Sequence, residues 1–251
     1  MAQQIIPVPK SILEKILTPI NRITEGCVLK LDKTQIYSIC SSADNTVLLY
    51  ARAELPATIE PSLRLNLNST KKLLLGLECL GSDGIFTLKY DVNHIKCEMK
   101  QEETNEKSHF KYHLVDDSVL REAQINLGKI AKLEFHTEFV LTPAKLRQLV
   151  AGYSFVSDLT KIYFRTESGK VYAEVDDKTL QNVDNITLVA SSSYTGQELT
   201  TPLPVNMEVF KILTSSKTDV TVKINKDVKV LIFQSNEDGV ELKYIISALV
   251  R

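Results

Sequence analysis

The sequence predicts an α+β protein made of two similar domains, each with two helices packed on antiparallel sheets. Two observations carry this prediction: the chain repeats its pattern once, and its strand segments alternate apolar and polar residues. A third observation, the uneven distribution of charge, concerns function. The 251 residues suffice for one large domain or two smaller ones, and a hydrophobic content of 43% is ordinary for a globular chain. Length and composition therefore agree with two globular domains.

Four segments of the first half recur in the second half, in the same order and at nearly constant spacing. "PKSILEKIL" resembles "TPAKLRQLV", with Ile12 and Ile16 matching Leu146 and Val150 at an offset of 134, and "LNSTKKLLL" resembles "VNMEVFKIL" at an offset of 138. "FTLKY" resembles "VTVKI" at an offset of 134, and "FKYHL" resembles "LKYII" at an offset of 132. Each match alone is weak, but four in register favour a tandem duplication. We expect an N-terminal domain at 1–117, an interdomain connector at 118–133 and a C-terminal domain at 134–251.

Each half shows the same predicted order of a short helix, a strand-rich stretch, a second short helix and three closing strands. The first helix spans about Pro9 to Arg22, and Pro19 is expected to kink it or end it early. The second helix of each half opens after an asparagine, Asn68 or Asn206, a residue type suited to an N-cap. Closing strands such as "TLKYDV", "HIKCEMK", "DVTVKI" and "VKVLIF" alternate at period two, and turn segments such as "GSDG" and "NEDG" separate them.

The chain carries no recognisable catalytic or metal-binding motif. Its four cysteines form no C-x-x-C pair, and we expect reduced, mostly buried thiols. His109 and His113 alternate within a predicted strand, where ordinary strand histidines are the simpler interpretation. There is no P-loop and no G-x-G-x-x-G, and the acidic "EVDDK" segment lies at an apparent turn. The sequence predicts a non-enzymatic protein without cofactor or metal, with a β-rich enzyme lacking a recognisable motif as the remote alternative.

The sequence also lacks targeting signals. No stretch of 18 apolar residues is present, and the segment "MAQQIIPVPK" has no basic region followed by an apolar one. We therefore expect an intracellular protein that is not secreted and has no membrane partner.

Positive charge is concentrated on the predicted helices. The windows 9–22, 69–79, 142–156 and 205–217 hold nine basic and three acidic residues, net +6, whereas the rest of the chain carries −7 and the total is −1. A single helix lysine is most simply a solvated side chain, but the set favours a common positive surface. Such a surface fits the phosphate backbone of a nucleic acid without base reading. The basic residues expected there are Lys10, Lys15, Arg22, Lys71, Lys72, Lys145, Arg147, Lys211 and Lys217.

The duplicated unit of helices and strands, with basic helices and an acidic remainder, resembles the DNA sliding clamp family. That family includes the eukaryotic and archaeal proliferating cell nuclear antigen and the T4-type phage clamp. Leu141–Val175, "LTPAKLRQLVAGYSFVSDLTKIYFRTESGKVYAEV", resembles the start of the C-terminal clamp domain and is closest to the phage type. Asp238–Val250, "DGVELKYIISALV", resembles the closing strand of the family. The resemblance covers essentially the whole chain and implies a duplicated DNA-clamp fold. It further implies a homotrimer that assembles into a six-domain ring.

The resemblance implies a DNA polymerase processivity factor that performs no covalent chemistry. The ring would encircle double-stranded DNA without sequence preference, with the nine basic residues facing the hole, and would tether the replicative DNA polymerase. An ATP-dependent clamp loader would open and close it. The protein would act in the host cytoplasm if it comes from a phage and in the nucleus if it is eukaryotic. The alternative is a monomeric, non-ring viral processivity factor of the same fold, which differs only in oligomeric state.

Two further surfaces follow from the resemblance. The subunit interface would pair a strand at about Ser108–Val115 with a strand of the neighbouring subunit at about Asp184–Ser192. Its predicted residues are Phe110, Tyr112, Leu114, Ile186, Leu188 and Ala190. A pocket for partner peptides beneath the connector would use Cys40, Leu120, Ile125, Leu127, Ala248 and Val250. Strands covered within their own chain, and an ordinary core in place of a pocket, remain the alternatives.

Overall fold

The computed structural model describes residues 4–120, 122–123, 127–130, 132–156, 160–176, 184–213 and 216–248. The chain divides into two compact units. The first comprises Met1–Gln124 with Asp238–Glu241, and the second comprises Ile125–Glu237 with Leu242–Arg251. The division falls inside the predicted connector 118–133, whose own bounds stay a prediction. Among the helices described, none has the length and apolar character that a membrane crossing requires.

The first unit combines two helices with two strand assemblies in its described residues. Its elements are β1 (Gln4–Ile6), α1 (Lys10–Asn21), β2 (Cys27–Ser41), β3 (Val47–Leu67), α2 (Thr70–Cys79), β4 (Ile85–Asp91), β5 (His94–Lys100) and β6 (Lys107–His113). An antiparallel sheet has the order β1-β4-β5-β6, which makes β6 an edge strand. Strands β2 and β3 form a long antiparallel hairpin whose register shifts between Leu31 and Gln35.

The second unit follows the same plan with shorter strands. Its elements are α3 (Leu127–Ile130), β7 (Thr137–Leu141), α4 (Pro143–Phe155), β8 (Lys161–Glu167), β9 (Lys170–Val175), β10 (Ile186–Ser191), β11 (Thr195–Gly196), β12 (Leu203–Asn206), α5 (Glu208–Leu213), β13 (Val220–Asn225), β14 (Val230–Glu237) and most of β15 (Val240–Ser247). One antiparallel sheet has the order β10-β9-β8-β12, so β10 is an edge strand. Strands β11, β7, β13, β14 and β15 follow one another in a second sheet.

The order of elements confirms the predicted α+β class and the duplication. Helices α1 and α4 occupy matching places in the two halves, as do α2 and α5. Three strands close each half, β4 to β6 in the first and β13 to β15 in the second. Each of the four strand segments quoted from the sequence contributes to a strand, although Val228 and Lys229 of "VKVLIF" lie in the turn before β14, and the period-two patterns let one side of each strand enter the core.

The two cores are built differently. In the first unit, strand alternation buries aliphatic side chains such as Leu29, Leu31, Ile36 and Leu49, each with essentially no exposed surface. In the second unit, phenylalanine rings form a continuous row. Phe139 and Phe164, Phe164 and Phe210, and Phe210 and Phe233 have ring centroids 5.4, 5.9 and 5.6 Å apart, distances typical of favourable aromatic pairs. These contacts hold helix α5 onto the strands beneath it.

Two local predictions about helix N-caps were wrong. Ser69 caps α2, since its side chain accepts a hydrogen bond from the Lys72 amide, whereas Asn68 lies one residue too early. Asn206 is the last residue of β12, and α5 begins at Glu208. Pro19 lies inside α1, which continues to Asn21, so the proline does not end the helix early, and the kink that was the other expectation stays a prediction. Proline is tolerated there because only one hydrogen bond of the last turn is lost.

Candidate nucleic-acid interface

Helix α2 presents two lysines to solvent. The helical period buries Thr70, Leu73 and Leu77 on one face and leaves Lys71 and Lys72 exposed on the other. Within the described part of the chain, neither ammonium group has an ion-pair or hydrogen-bond partner. Both charges are therefore available to an external anion.

The predicted cations of α1 are more engaged. Lys10 donates to the carbonyl of Gly81 and pairs with Glu14 at 3.2 Å, and its side chain is only 13% exposed. The Lys15 ammonium lies 2.7 Å from a carboxylate oxygen of Asp238, which belongs to the same unit. Arg22 is exposed just beyond the helix. Lys10 and Lys15 thus contribute less free positive charge than the two lysines of α2.

The end of α1 and the start of α2 are joined by a direct contact. The hydroxyl of Thr70 lies 3.0 Å from Oδ1 of Asn21, at the last residue of α1. The same hydroxyl lies 3.0 Å from the carbonyl oxygen of Glu25. Since Arg22 follows Asn21 and Lys71 follows Thr70, the contact brings basic residues of the two helices to one end of the pair.

Helix α4 provides one free cation in the second unit. Thr142 caps the helix by accepting a hydrogen bond from the Lys145 amide at 3.3 Å, and Pro143 follows in the first turn. The Lys145 ammonium donates to the side-chain oxygen of Gln148 at 3.1 Å. Arg147 is exposed and has no partner in the segments that the structure covers.

The cations of α5 complete the predicted set. The ammonium of Lys211 lies 4.9 Å from the centre of the Tyr153 ring, which is cation–π geometry and connects α5 to α4. Lys217 is exposed beyond the end of α5. Four of the nine predicted residues are therefore exposed without an internal partner among the described residues: Lys71, Lys72, Arg147 and Lys217.

The predicted interface residues of β6 face α2. The Phe110 ring packs where Gly76 leaves room, since a Cβ at that glycine would lie 2.8 Å from the ring. The Tyr112 hydroxyl lies 2.7 Å from Oδ1 of Asn68 and accepts the Ser69 amide at 2.9 Å. These side chains hold the edge strand onto its own helix.

The predicted interface residues of β10 face α4 in the same way. A Cβ at Gly152 would lie 3.2 Å from Leu188 and 3.4 Å from Ile186. Ala190, also in β10, is 1% exposed. The last predicted interface residue, Leu114, follows β6, and its amide donates to the carbonyl of Asn93 at 2.9 Å. Most of the predicted side chains thus pack within their own unit. The outer edges of β6 and β10 have no strand partner among the described residues.

Two exposed apolar residues near these strands were not predicted. Leu75 on α2 is 51% exposed and Phe155 at the end of α4 is 66% exposed. Each is close in sequence to the helix glycine that contacts the edge strand, Gly76 or Gly152. The signal was present in the sequence, since both lie off the apolar face of an amphipathic helix.

A second group of cations was also missed. Lysines recur on the side of the first four-stranded sheet that faces away from the core, and we call them the sheet lysines: Lys89, Lys96, Lys100, Lys107 and Lys111. The helices therefore do not hold all of the clustered positive charge. The signal in the sequence was a lysine at every fourth position of β5 and β6, which places each on one side of its strand.

The predicted pocket residues are distributed over both units. Cys40 is buried in the first unit, and burial raises the pKa of its thiol to about 12, so it behaves as a small neutral side chain. Leu120 is half-buried, and a Cβ at Gly26 would meet its Cδ2 at 3.0 Å. Ala248 is buried in the second unit. Outside the described residues lie Ile125, Val250 and the side chain of Leu127, whose backbone opens α3.

A cavity of about 360 Å³ lies in the second unit beside Ala248. Residues 198–204 line it together with Lys226, Asp227 and Lys229. The Ala248 amide donates to the Lys229 carbonyl at 2.7 Å, which attaches the end of the last strand to this cavity. Leu203 and Pro204 give the wall an apolar part, and the rest of the lining includes charged side chains of both signs: Lys226, Lys229, Glu198 and Asp227.

The described residues offer little for covalent chemistry. They contain no group of three or more His, Cys, Asp or Glu side chains arranged to hold a metal. All four cysteines are free thiols, and only Cys79 is exposed. Burial raises the pKa of Cys27 and raises that of Cys97 to about 12, which opposes thiolate formation.

Comparisons with known proteins identify the fold. No family model and no curated relative matches the chain. Proliferating cell nuclear antigen from Entamoeba histolytica has a TM-score of 0.75 and 14% identity, over 96% of each chain. A structure of the C-terminal region of FEN-1 bound to A. fulgidus PCNA matches with a TM-score of 0.75 and 13% identity, over 100% of this chain and 99% of that one. Along essentially its whole length, the chain has the clamp fold of proliferating cell nuclear antigen.

Proposed function

We propose that this chain is a sliding clamp, a ring that encircles duplex DNA and tethers a replicative DNA polymerase. The observation that carries the proposal is the clamp fold, which extends over the whole chain at a TM-score of 0.75. The exposed helix cations agree with it, since they suit phosphates and not a small substrate. The protein then works by topology and is not an enzyme.

Binding to DNA would rest on weak contacts between helix cations and phosphates. Lys71, Lys72, Arg147 and Lys217 are the strongest candidates because their charges are not neutralised by other described residues. Contacts of this kind carry no sequence information and are screened by salt. A ring held only by such contacts can slide along the duplex.

The ring itself would be a homotrimer with six domains. Strand β6 of one subunit would pair with β10 of the next, since each is the outer strand of a four-stranded sheet. Such a head-to-tail contact closes when the rotation per subunit is one third of a turn. The exposed Leu75 and Phe155 lie on the helices beside these strands and supply apolar surface for the contact.

Client proteins would bind through short peptides. One structural neighbour is a PCNA bound to the C-terminal region of FEN-1, which supports peptide binding by this fold. In this chain, the cavity beside Ala248 has the volume and the partly apolar wall that such a peptide needs. Cys40, Leu120 and the other residues predicted for the pocket are proposed to take part. A DNA polymerase and an ATP-dependent clamp loader are the expected partners, and the sequence resemblance favours a phage source.

Light scattering over a range of concentrations tests the ring. Three copies of a 28.2 kDa chain give 84.6 kDa. We expect that mass for the unmodified protein and a smaller mass for Phe155→Asp. Val140→Asp is the matched control, since Val140 is also exposed, at 41%, but lies in β7 outside the proposed contact. A mass that stays at 28.2 kDa at every concentration would exclude a stable ring.

A salt titration tests the helix cations. The variant Lys71→Gln/Lys72→Gln/Arg147→Gln is expected to lower the salt slope of duplex binding by about 2.7 for each subunit whose helix cations contact the duplex, because each phosphate contact contributes about 0.9. A control that removes the same charge elsewhere, Lys132→Gln/Lys161→Gln/Lys170→Gln, is expected to keep the original slope. Equal slopes for the two variants would reject the helix surface.

The second candidate is a monomeric processivity factor of the same fold. It is favoured by one observation, namely that the side chains predicted for the interface pack against helices of their own unit. A monomer that still loses duplex affinity in the helix variant would select this candidate.

A further inference from the structure

The outer face of the first four-stranded sheet carries lysines in directly opposed pairs. In the register of β5 and β6, Lys100 lies opposite Lys107 and Lys96 lies opposite Lys111. In the register of β4 and β5, Lys89 lies opposite Lys96. Like charges directly opposite each other destabilise a sheet. The arrangement is therefore unfavourable for folding alone and becomes favourable when an anion binds.

The chain neutralises this face only in part. Glu98 accepts hydrogen bonds from Lys89 and from Lys96, the latter at 2.6 Å, and these bonds lower its pKa to about 2. Asp91 lies 3.9 Å from Nε2 of His94 at the other end of the strands. Within the part of the chain that the structure describes, the sheet lysines left without an anionic partner are Lys100, Lys107 and Lys111.

The sheet lysines lie on the opposite side of the sheet from α2. Phe110 and Tyr112 point from β6 towards α2, so the alternate residues Lys107 and Lys111 point the other way. The free lysines of α2 occupy the solvent side of that helix. A straight duplex lying on α2 cannot also reach the outer face of the sheet. Any anion that binds there is a separate molecule or a separate segment.

We propose that the sheet lysines form a second nucleic-acid contact, which holds the phosphate backbone of single-stranded DNA. Two opposed ammonium groups suit a phosphodiester, since each can bind one of its two non-bridging oxygens. The pair Lys100/Lys107 lies four residues along the strands from Lys111, a separation of about 14 Å, and Lys96 opposite Lys111 is already paired with Glu98. A flexible single strand can bring one phosphate onto the pair and another onto Lys111.

The same features disfavour other occupants. Duplex DNA is stiff and convex, and it would meet a flat sheet with few phosphates at once. An acidic peptide would gain most by adding a strand at the edge of β6, which the proposed ring assigns to the neighbouring subunit. No Phe, Tyr or Trp lies among the outward residues of β4, β5 and β6, where the rings are the imidazoles of His94, His109 and His113, so bases have little surface to stack on. Binding is thus expected to be independent of sequence and sensitive to salt.

Fluorescence anisotropy with a labelled 20-nucleotide oligothymidine tests the inference over a series of salt concentrations. The sheet variant is Lys100→Gln/Lys107→Gln/Lys111→Gln, and the control is Lys132→Gln/Lys161→Gln/Lys170→Gln, which removes the same charge. We expect the sheet variant to bind on the order of tenfold more weakly at low salt, with a salt slope smaller by about 2, because each contact to a single strand contributes about 0.7. The control is expected to match the unmodified protein.

Three results would overturn the inference. The sheet variant could bind oligothymidine as the unmodified protein does, or the control could lose as much oligothymidine affinity as the sheet variant. The sheet variant could also lose binding to poly-L-glutamate while it keeps binding to oligothymidine. The last result would assign the face to an acidic protein partner. Circular dichroism and light scattering verify that the sheet variant keeps its fold and mass. The helix variant, measured with a duplex probe, reports separately on the proposed clamp function, so the two ideas can fail independently.

Discussion

The hydroxyl of Tyr112 connects the edge strand β6 to the start of α2, and its removal tests that connection. The oxygen lies 2.7 Å from Oδ1 of Asn68 and 3.0 Å from the carbonyl oxygen of Ser69, and it accepts the Ser69 amide at 2.9 Å. Tyr112 itself is 3% exposed. Tyr112→Phe keeps the buried ring and removes all three contacts.

The expected loss follows from what each partner can do afterwards. Asn68 is exposed and can bind water in place of the hydroxyl, so its contribution is small. The half-buried Ser69 amide loses its acceptor next to the first turn of α2. A buried donor left unsatisfied costs about 1 to 3 kcal/mol, and we expect the free energy of unfolding of Tyr112→Phe to be lower by about 1.5 kcal/mol. For a chain of this length, that loss lowers the melting temperature by about 3 to 6 °C.

Urea unfolding followed by circular dichroism measures the loss. Tyr90→Phe is the matched control, because Tyr90 lies in the same sheet and its hydroxyl makes no hydrogen bond with the described residues. Burial raises the pKa of Tyr112 above its usual value of about 10, so the unfolded chain ionises first as the pH rises. Stability should therefore fall above about pH 10, and less steeply in Tyr112→Phe. Identical unfolding midpoints for the two variants at neutral pH would refute the role of the hydroxyl.

Three further predictions concern the same unit. Gly76→Val should lower the free energy of unfolding by about 2 kcal/mol or more, because the new Cβ would lie 2.8 Å from the Phe110 ring. An unfolding midpoint equal to that of the unmodified protein would contradict this contact. Two lysines hold the pKa of Glu98 at about 2, below its ordinary value of 4.5, so the unmodified protein should lose stability as the pH falls from about 4.5 towards 2. Glu98→Gln should not show this loss. Acid titration of both proteins measures it, and parallel curves would count against the pairing. Lys107→Gln should raise stability by about 0.2 to 1 kcal/mol by relieving repulsion across the strands, and a lower melting temperature would argue that the lysine is structural.

The features that the sequence predicted well are those set by local periodicity. The run from Ile12 to Ile20 buries one helix face because side chains repeat every 3.6 residues. Strand β5 buries Ile95, Cys97 and Met99 because side chains alternate. The duplication was visible for the same reason, since equivalent elements of the two halves bury similar patterns of residues. Local patterns of this kind decide which side chains of a helix or strand are buried, and they can be found in the sequence alone.

The features that were missed depend on contacts between distant segments. The contacts of Phe110 with Gly76 and of Leu188 with Gly152 join segments far apart in the chain, and no single segment predicts them. The opposition of Lys100 and Lys107 depends on the register of β5 and β6, which no single segment specifies. The cap of α2 was displaced by one residue because Asn68 hydrogen-bonds to Tyr112, 44 positions along the chain.

The placement of the two helix glycines bears on how subunits would meet. Gly76 lets α2 lie close to β6, and Gly152 lets α4 lie close to β10, although α2 is the second helix of its half and α4 is the first. If β6 of one subunit pairs with β10 of the next, α2 and α4 become neighbours across the junction. The most exposed apolar residue of each helix, Leu75 and Phe155, would then be covered by the same contact. This one strand pairing would account for two open sheet edges and two apolar side chains, and we expect Leu75→Asp to lower the mass measured by light scattering, as we expect of Phe155→Asp. A variant pair in which only one member changes the mass would show that the two helices do not share a junction.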